Sequence, residues 1–422
     1  ARIAAEDEAQ LNVMVSKFMN YEQNPPTDAS FYNNPITALG WQTERWFQIC
    51  SEAIGGFWTN ELGKSTVRIN AVYEGDPSVD PWSTATNTST VIDYFGPEGL
   101  GYIPATPGEL GGWTGGSAAD VSAAINSGAF MLQHRDHGMY TGWGEPDFTN
   151  SNISSLTNID NKLPFIFSIN CQTGAFHNPD SDPTFTEALH RYTYNGENSG
   201  ALGLIAATEV SYSFVNDAYV WGLYDNFWPE FMPDETSEFP VDFVYPAFGN
   251  VAGKLFLYQS SWPYNTESKQ ITYRLFHHHG DAYLNVYTEV PQELTVNAAE
   301  AQVFGNLSMN ITVDDGAHIA VTYFDNILQQ TKIIGTGIGT GSQSTVTLTE
   351  LPNPGTELLV TVTKQNYFRY TKSVMVIAPE GPYDVVADFA IEDENNGIVE
   401  YGETFDIDLT LKNVGVDLSE DI

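Results

Sequence analysis

The chain is poor in cysteine and in cations. Only Cys50 and Cys171 occur in 422 residues, so at most one disulfide can form and a disulfide framework is excluded. Lys and Arg together number 16 against 54 Asp and Glu. The resulting formal net charge of −38 argues against nucleic acid and against anionic membrane surfaces as partners. It fits a protein of ion-rich surroundings, or one that attracts cationic substrates and divalent cations. No apolar run is long enough to cross a membrane, and no secretory signal is recognisable. The opening at Ala1-Arg2-Ile3 and the stop at Glu420-Asp421-Ile422 read as the ends of a fragment, truncated at the N-terminus and inside a β pattern at the C-terminus. What is plentiful is apolar and aromatic. Hydrophobic residues make up 42%, enough for packed cores and against global disorder. The length exceeds what one core usually serves, so two or three domains are expected.

Hydrophobic periodicity predicts helices over residues 6–23 and 42–54, the second closed by Gly55-Gly56, with Cys50 a buried thiol on it. A strand is expected at 67–73. Residues 74–117 are rich in Gly, Pro, Ser and Thr and read as a long loop insertion. A short helix over 118–126, strands near 129–132 and 163–168, a helix over 183–194, a strand over 200–207 and an aromatic-rich helix over 216–231 follow. This alternation predicts a layered α/β domain with a mostly parallel sheet. Near residue 288 the pattern changes to alternating strands at 307–313, 318–324, 344–348, 357–362 and 373–377, which read as an immunoglobulin-like β-sandwich. The expected division is 1–287, 288–378, and a linker with the start of a further β domain at 379–422.

Two strand-like runs end in chemistry. Ala129-Phe130-Met131-Leu132 leads into Gln133-His134-Arg135-Asp136-His137-Gly138, and Leu163-Pro164-Phe165-Ile166-Phe167-Ser168 leads into Ile169-Asn170-Cys171-Gln172-Thr173-Gly174. In a parallel sheet such ends share one edge, where open α/β folds place their ligands. A thiol with a histidine on the neighbouring strand end is the minimum for thiol catalysis, and spacing alone leaves open that both are ordinary strand-end residues. His137 is the stronger candidate base because Gly138 follows it, and a glycine lets a backbone N–H approach a substrate oxygen closely. The N–H groups of Gly138 and Cys171 are the candidate oxyanion donors.

The flanking residues resemble the gingipain family, within the caspase–legumain–gingipain clan of cysteine peptidases. Asp136-His137-Gly138-Met139-Tyr140-Thr141-Gly142-Trp143-Gly144 is similar to the family's Gly-His-Gly-Ser-x-Thr-x-Trp-Gly. Leu163-Pro164-Phe165-Ile166-Phe167, Cys171, Gly174 and Phe176 are similar to Leu-Pro-Phe-Ile-Phe-x-x-x-Cys-x-x-Gly-x-Phe. Phe185-Thr186-Glu187-Ala188-Leu189 and Gly203-Leu204-Ile205-Ala206-Ala207-Thr208 extend the likeness. The resemblance implies a caspase-like α/β fold and a secreted or surface-attached bacterial cysteine endopeptidase. It also implies Cys171 as nucleophile, His137 as its partner, and protein or peptide substrates cut, as one option, after basic residues.

It further implies an acidic residue that orients the histidine or floors the substrate pocket. Glu44, Glu209 and Asp217 are the candidates, unranked. Asp136 departs from the family, which has glycine there; its carboxylate either acts on the imidazole or points into solvent. His277-His278-His279 looks like a metal cluster, but successive residues of an extended segment face opposite ways. Structural calcium is expected from the resemblance. Asp393-Glu394-Asn395-Asn396-Gly397 with Glu400 and Glu403 offers oxygens around a turn but lacks the full calcium-loop pattern. The chemistry itself needs no cofactor. The alternative reading is a non-catalytic adhesin or glycan-binding protein that keeps the fold. A carboxylate-based glycoside hydrolase is the third, and no paired-carboxylate motif supports it.

Overall fold

The computed structural model describes residues 1–422 except 178–182, 236–241, 261, 263–265, 393–400, 403, 414 and 420–422. The chain divides into two units, Ala1–Gln292 and Glu293–Ile422. The first is built on a six-stranded sheet: β1 (Ile36–Leu39), β2 (Val67–Asn70), β3 (Met131–Arg135), β4 (Phe165–Ile169), β5 (Gly203–Ala207) and β6 (Phe276–His279), in spatial order β6-β5-β4-β3-β1-β2. All pairs are parallel except β6 with β5. The order reverses between β1 and β3, and β3 and β4 are the two central strands, so their ends lie at the centre of the sheet's edge.

The period of two in each strand decides what it buries against. Leu39, Met131, Phe165, Phe167, Ile169 and Ile205 join one core with helices α2 (Trp46–Asn60) and α6 (Val215–Phe227). Ala38, Leu132, Ile166 and Leu204 join another with α4 (Ala118–Ser127) and α5 (Phe185–Arg191). Every residue of β3 and β4 is buried, and accordingly β4 reads as a nearly continuous apolar run rather than an alternation, while the last three residues of β3, Gln133, His134 and Arg135, are buried polar groups.

Three expectations change. The helix expected to close at Gly55-Gly56 begins at Trp46, after a left-handed Arg45 (φ 57°), and runs through both glycines to Asn60. Gly56 is a packing residue, since a Cβ there would lie 1.9 Å from the Tyr102 carbonyl oxygen. The 74–117 insertion is not a plain loop. It contains helix α3 (Thr88–Phe95) and a short 3-10 turn, and it buries Trp82, Phe95, Tyr102, Ile103 and Trp113. Its large side chains stand singly or in pairs separated by Gly, Pro and polar residues, so periodicity missed them. The helix expected over 183–194 ends at Arg191. Thr193–Tyr194 and Glu197–Asn198 then pair around Asn195-Gly196, both at positive φ, the turn chemistry that Asn-Gly favours. A helix, α7 (Pro246–Gln259), and a strand at Gln330–Ile338 had no sequence expectation.

In the second unit a three-stranded and a five-stranded sheet share one core that includes Met309, Ile311, Val321, Val346, Val360 and Val374. Its strands alternate buried and exposed residues, as in Gln343–Thr347. Asp384–Glu392 and Asp406–Asn413 form a separate antiparallel pair.

Replacing Gly56 with Ala should destabilise the first unit by about 1–3 kcal/mol or more, because backbone rather than a flexible side chain must move. Urea unfolding reads this, and an unchanged midpoint would show that Tyr102 yields freely.

Candidate active site

Met131 pairs with Phe165 and Arg135 with Ile169, a constant offset of 34 residues. His137 and Cys171 are also 34 apart, so each stands two residues beyond the end of one of two adjacent parallel strands. Gly138 lies in contact with the cysteine segment, since a Cβ on it would fall 2.7 Å from the Cys171 carbonyl oxygen and 2.6 Å from Asn170 Oδ1. Only glycine fits where the two strand ends meet.

Cys171 is half-buried at a sharp turn. Gln172 follows it in the left-handed region (φ 62°), and the Thr173 N–H donates to the Cys171 carbonyl at 2.8 Å. Such strain in a non-glycine residue persists where its surroundings hold it. Here the Gln172 N–H donates to the Glu209 carbonyl (3.2 Å) and its side-chain amide to Tyr140 Oη (3.0 Å). The segment after β5 covers the sulfur. The Ser211 N–H donates to Cys171 Sγ at 3.4 Å, and the Ser211 hydroxyl, which accepts from Asn216, donates to the Asn170 carbonyl. Ser211 had no sequence signal, because only the tertiary fold brings it to the thiol.

His137 is exposed, and its ring meets Phe47 edge-on with centroids 5.4 Å apart. Partial burial, with the nearby Arg135 cation, lowers its pKa below the ordinary histidine value, so the imidazole is neutral near pH 7. Arg135 is buried, with its guanidinium 3.9 Å from the centroid of the same Phe47 ring. Phe47 thus touches both the cation and the imidazole.

The candidate acids separate. Asp217, at the start of α6, is buried and takes a two-pronged bond from Arg135 (2.6 and 2.8 Å) plus the Trp46 indole N–H (2.8 Å). This departs from the expected pocket floor, since its carboxylate is already committed to a structural cation. Glu209 is exposed and pairs with His177 at 2.9 Å. Glu44 is half-buried just before α2. Its carbonyl accepts from Thr84 and Ser83, and its carboxylate takes no ion pair among the described residues.

Asp136 neither holds the imidazole nor points into solvent. Its side chain is buried between Gly40 and Gly144, where a Cβ on either glycine would come within 3 Å of it. Its carboxylate accepts the backbone N–H groups of Glu145 (2.6 Å) and His137. Burial pushes its pKa up to about 7.

His134 is fully buried and stacked on Trp143, away from the exposed His137. Cys50 is buried, and burial raises its thiol pKa well above the ordinary value. His277, His278 and His279 lie in or beside β6; His278 and His279 are buried on opposite faces. Among the described residues no group of three or more His, Cys, Asp or Glu is placed to hold a metal ion. Asp393, Glu394, Glu400 and Glu403 lie outside the described residues. No helix among the described residues is long and apolar enough to cross a membrane.

The sequence profile of peptidase family C25 matches residues 1–287. The chain belongs to peptidase family C25. Gingipain R1 of Porphyromonas gingivalis is 28% identical to this C25 chain over 269 residues, 64% of this chain and 25% of that protein. Lys-gingipain of the same species is 20% identical over 398 residues, 92% of this chain and 20% of its own length. The chain therefore spans about a quarter or less of these curated relatives. Among solved structures, the Arg-specific cysteine proteinase gingipain R is similar with a TM-score of 0.66 at 20% identity, over 88% of this chain and 73% of that one. The complex of the RgpB pro- and mature domains gives 0.67 at 19% identity, over 89% and 76%. The likeness places this C25 chain in the gingipain R fold.

The raised Asp136 pKa has a stability consequence. The folded chain holds a proton that an unfolded aspartate releases near pH 4. That contribution is complete below the unfolded value and is lost as pH rises through about 7. Asp136→Asn removes the dependence, so its melting temperature relative to wild type should climb by about 2–5 °C between pH 4.5 and 8. A difference that stays constant with pH would show that this carboxyl titrates normally.

Proposed function

We propose that this chain is a cysteine endopeptidase with Cys171 as nucleophile and His137 as its proton-transfer partner. The observation that carries the reading is the shared register, which sets the two side chains beyond neighbouring parallel strands with glycine between them. Cys171 Sγ attacks the substrate carbonyl carbon while its proton passes to neutral His137. The developing oxyanion accepts the N–H groups of Gly138 and Cys171. The C–N bond breaks as His137 returns the proton to the leaving amine. Water, activated by the same imidazole, then hydrolyses the thioester. The Ser211 N–H, donating to Sγ, holds the sulfur in place. No step is routed through a metal.

The substrate reading follows from the acids. With Asp217 bonded to Arg135 and Glu209 paired with His177, Glu44 is the remaining carboxylate for a basic side chain at the cleaved position. The net charge of −38 favours approach of cationic segments. The names Arg-specific gingipain R and Lys-gingipain, borne by similar proteins, support the same direction. The reading also includes export to the bacterial cell surface or medium, and an immunoglobulin-like character for the sandwich at 288–378.

Cys171→Ala should abolish peptide hydrolysis with no loss of fold by circular dichroism, and His137→Ala should lower kcat by about 10²-fold or more. Full activity in the cysteine variant would sink the reading. Cut-site mapping on a peptide library should give cleavage after Arg or Lys, and Glu44→Gln should lower kcat/KM for those sites by about 10-fold or more. Cuts at apolar positions would remove Glu44 from the pocket and leave the dyad intact.

A further inference from the structure

A buried polar network lies directly beneath the two strand ends, and no step of the proposed chemistry uses it. It consists of His134, Trp143, Ser168, Asn170 and Thr173, none more than 1% exposed. Two groups at its ends fix every proton. The Trp143 indole is donor only, and it donates to Ser168 Oγ at 2.8 Å. The Glu145 carbonyl is acceptor only, and it faces His134 Nε2 at 3.1 Å.

His134 is neutral, burial having pushed its pKa down to about 3, so its single ring proton sits on Nε2 and Nδ1 accepts. The Asn170 amide supplies that bond at 2.8 Å and sends its second N–H to Ser168 Oγ at 2.8 Å. Ser168 Oγ has then accepted twice, and its own proton goes to Thr173 Oγ1 at 2.9 Å. The Thr173 proton goes to Asn170 Oδ1 at 2.7 Å. Ser168, Thr173 and Asn170 thus close a ring in which each hydroxyl and amide donates to the next. Such a satisfied network in a dry interior holds one geometry, because any rotation leaves a buried donor unpaired.

The members come from both strand ends. His134 belongs to β3, Trp143 and Glu145 follow Gly138, and Asn170 and Thr173 flank Cys171. His134 stacks on Trp143 with centroids 4.0 Å apart and planes at 5°, which ties β3 to the segment after His137. The Asn170 amide oxygen lies against Gly138, at the 2.6 Å from a hypothetical Cβ given above. The spacing between the Gly138 and Cys171 backbones therefore depends on where this amide is held.

We propose that Asn170, locked by Thr173, Ser168 and His134, is the positioning residue that sets the oxyanion donors of Gly138 and Cys171 against each other. The inference rests on the peptidase reading. It separates two reactions of Cys171: peptide hydrolysis, which needs the oxyanion donors, and alkylation by iodoacetamide, which does not.

Thr173→Val keeps the shape and removes the hydroxyl that anchors Asn170 Oδ1. It should lower kcat by about 10- to 100-fold, a part of what losing an oxyanion donor costs, with KM changed by less than about 3-fold. The alkylation rate at Cys171, followed by mass spectrometry, should stay within about 3-fold of wild type, as the thiol itself is untouched. Thr173→Ser restores the hydroxyl and should recover most of kcat, and Asn170→Ala should behave as Thr173→Val or worse. Wild-type kcat in both Thr173→Val and Asn170→Ala would overturn the proposal. So would parallel falls in hydrolysis and alkylation, which mean a general loss of structure. A wild-type chain that alkylates at Cys171 but cuts no peptide would refute the peptidase reading and this inference with it, an outcome distinct from an active wild type with indifferent variants.

Discussion

The parallel pairing of Met131–Arg135 with Phe165–Ile169 is the constraint on which the rest depends. Side chains alternate across a sheet, so a slip of one residue would exchange the faces of a whole strand. In the observed register His134 faces the polar network under the sheet's end, and Arg135 faces Phe47, Trp46 and Asp217 on the other side. The same register carries His137 and Cys171 out of the sheet side by side. Burial on both faces of both strands makes the slip costly, since buried apolar side chains and a buried ion pair would all be misplaced together.

Around that pairing the sheet's end is stiffened from three directions. Above one face, the Arg135–Asp217 pair joins the sheet to α6, and the Trp46 indole joins α2 to the same carboxylate. A pair so deeply buried contributes little net stability, but removing either partner would strand a charge. Below the other face, the ring through Asn170 fixes the backbone that carries the thiol. At the edge, Asp136 fills the space between Gly40 and Gly144 and caps the N–H groups of the histidine segment. The exposed imidazole and the half-buried thiol are thus mounted on side chains that are almost wholly buried. Reactive groups gain from that arrangement, because misplacement of the supporting shell is what loosens a site.

Much of the first unit was legible because apolar runs lie in or lead into its central strands and the strand ends carry unusual residues. Strand and helix periodicity located β3, β4, β5, α1 (Glu8–Gln23) and α4 within a few residues. Errors arose where local composition and tertiary packing disagree. Gly55-Gly56 looked like a stop, yet Gly56 is there to admit the Tyr102 backbone. Residues 74–117 looked like a loop, yet their scattered aromatics fill a core that exists only once α2 is in place. Within the site, Cys171 and His137 stood out by residue type and by the flanking residues that resemble the gingipain family. Asp217 was noticed as an acid, but its partner Arg135 is 82 residues away in sequence, so nothing local announced the pairing.

By itself, then, the sequence determined the class of the fold and singled out Cys171 and His137 as the candidate reactive pair. Both rest on short-range information: the period of two in strands, glycine beside the histidine, a thiol after an apolar run, and the likeness of the residues flanking both to the gingipain family. Only the tertiary structure decided the roles of the surrounding polar groups. Asp136 became a buried cap, His134 a neutral link in a network, Asp217 a counter-ion, and Ser211 a cover for the sulfur. The reason is physical. A carboxylate or an imidazole takes its protonation and its task from burial and from the partner it meets, and those partners come from segments that are remote until the sheet closes.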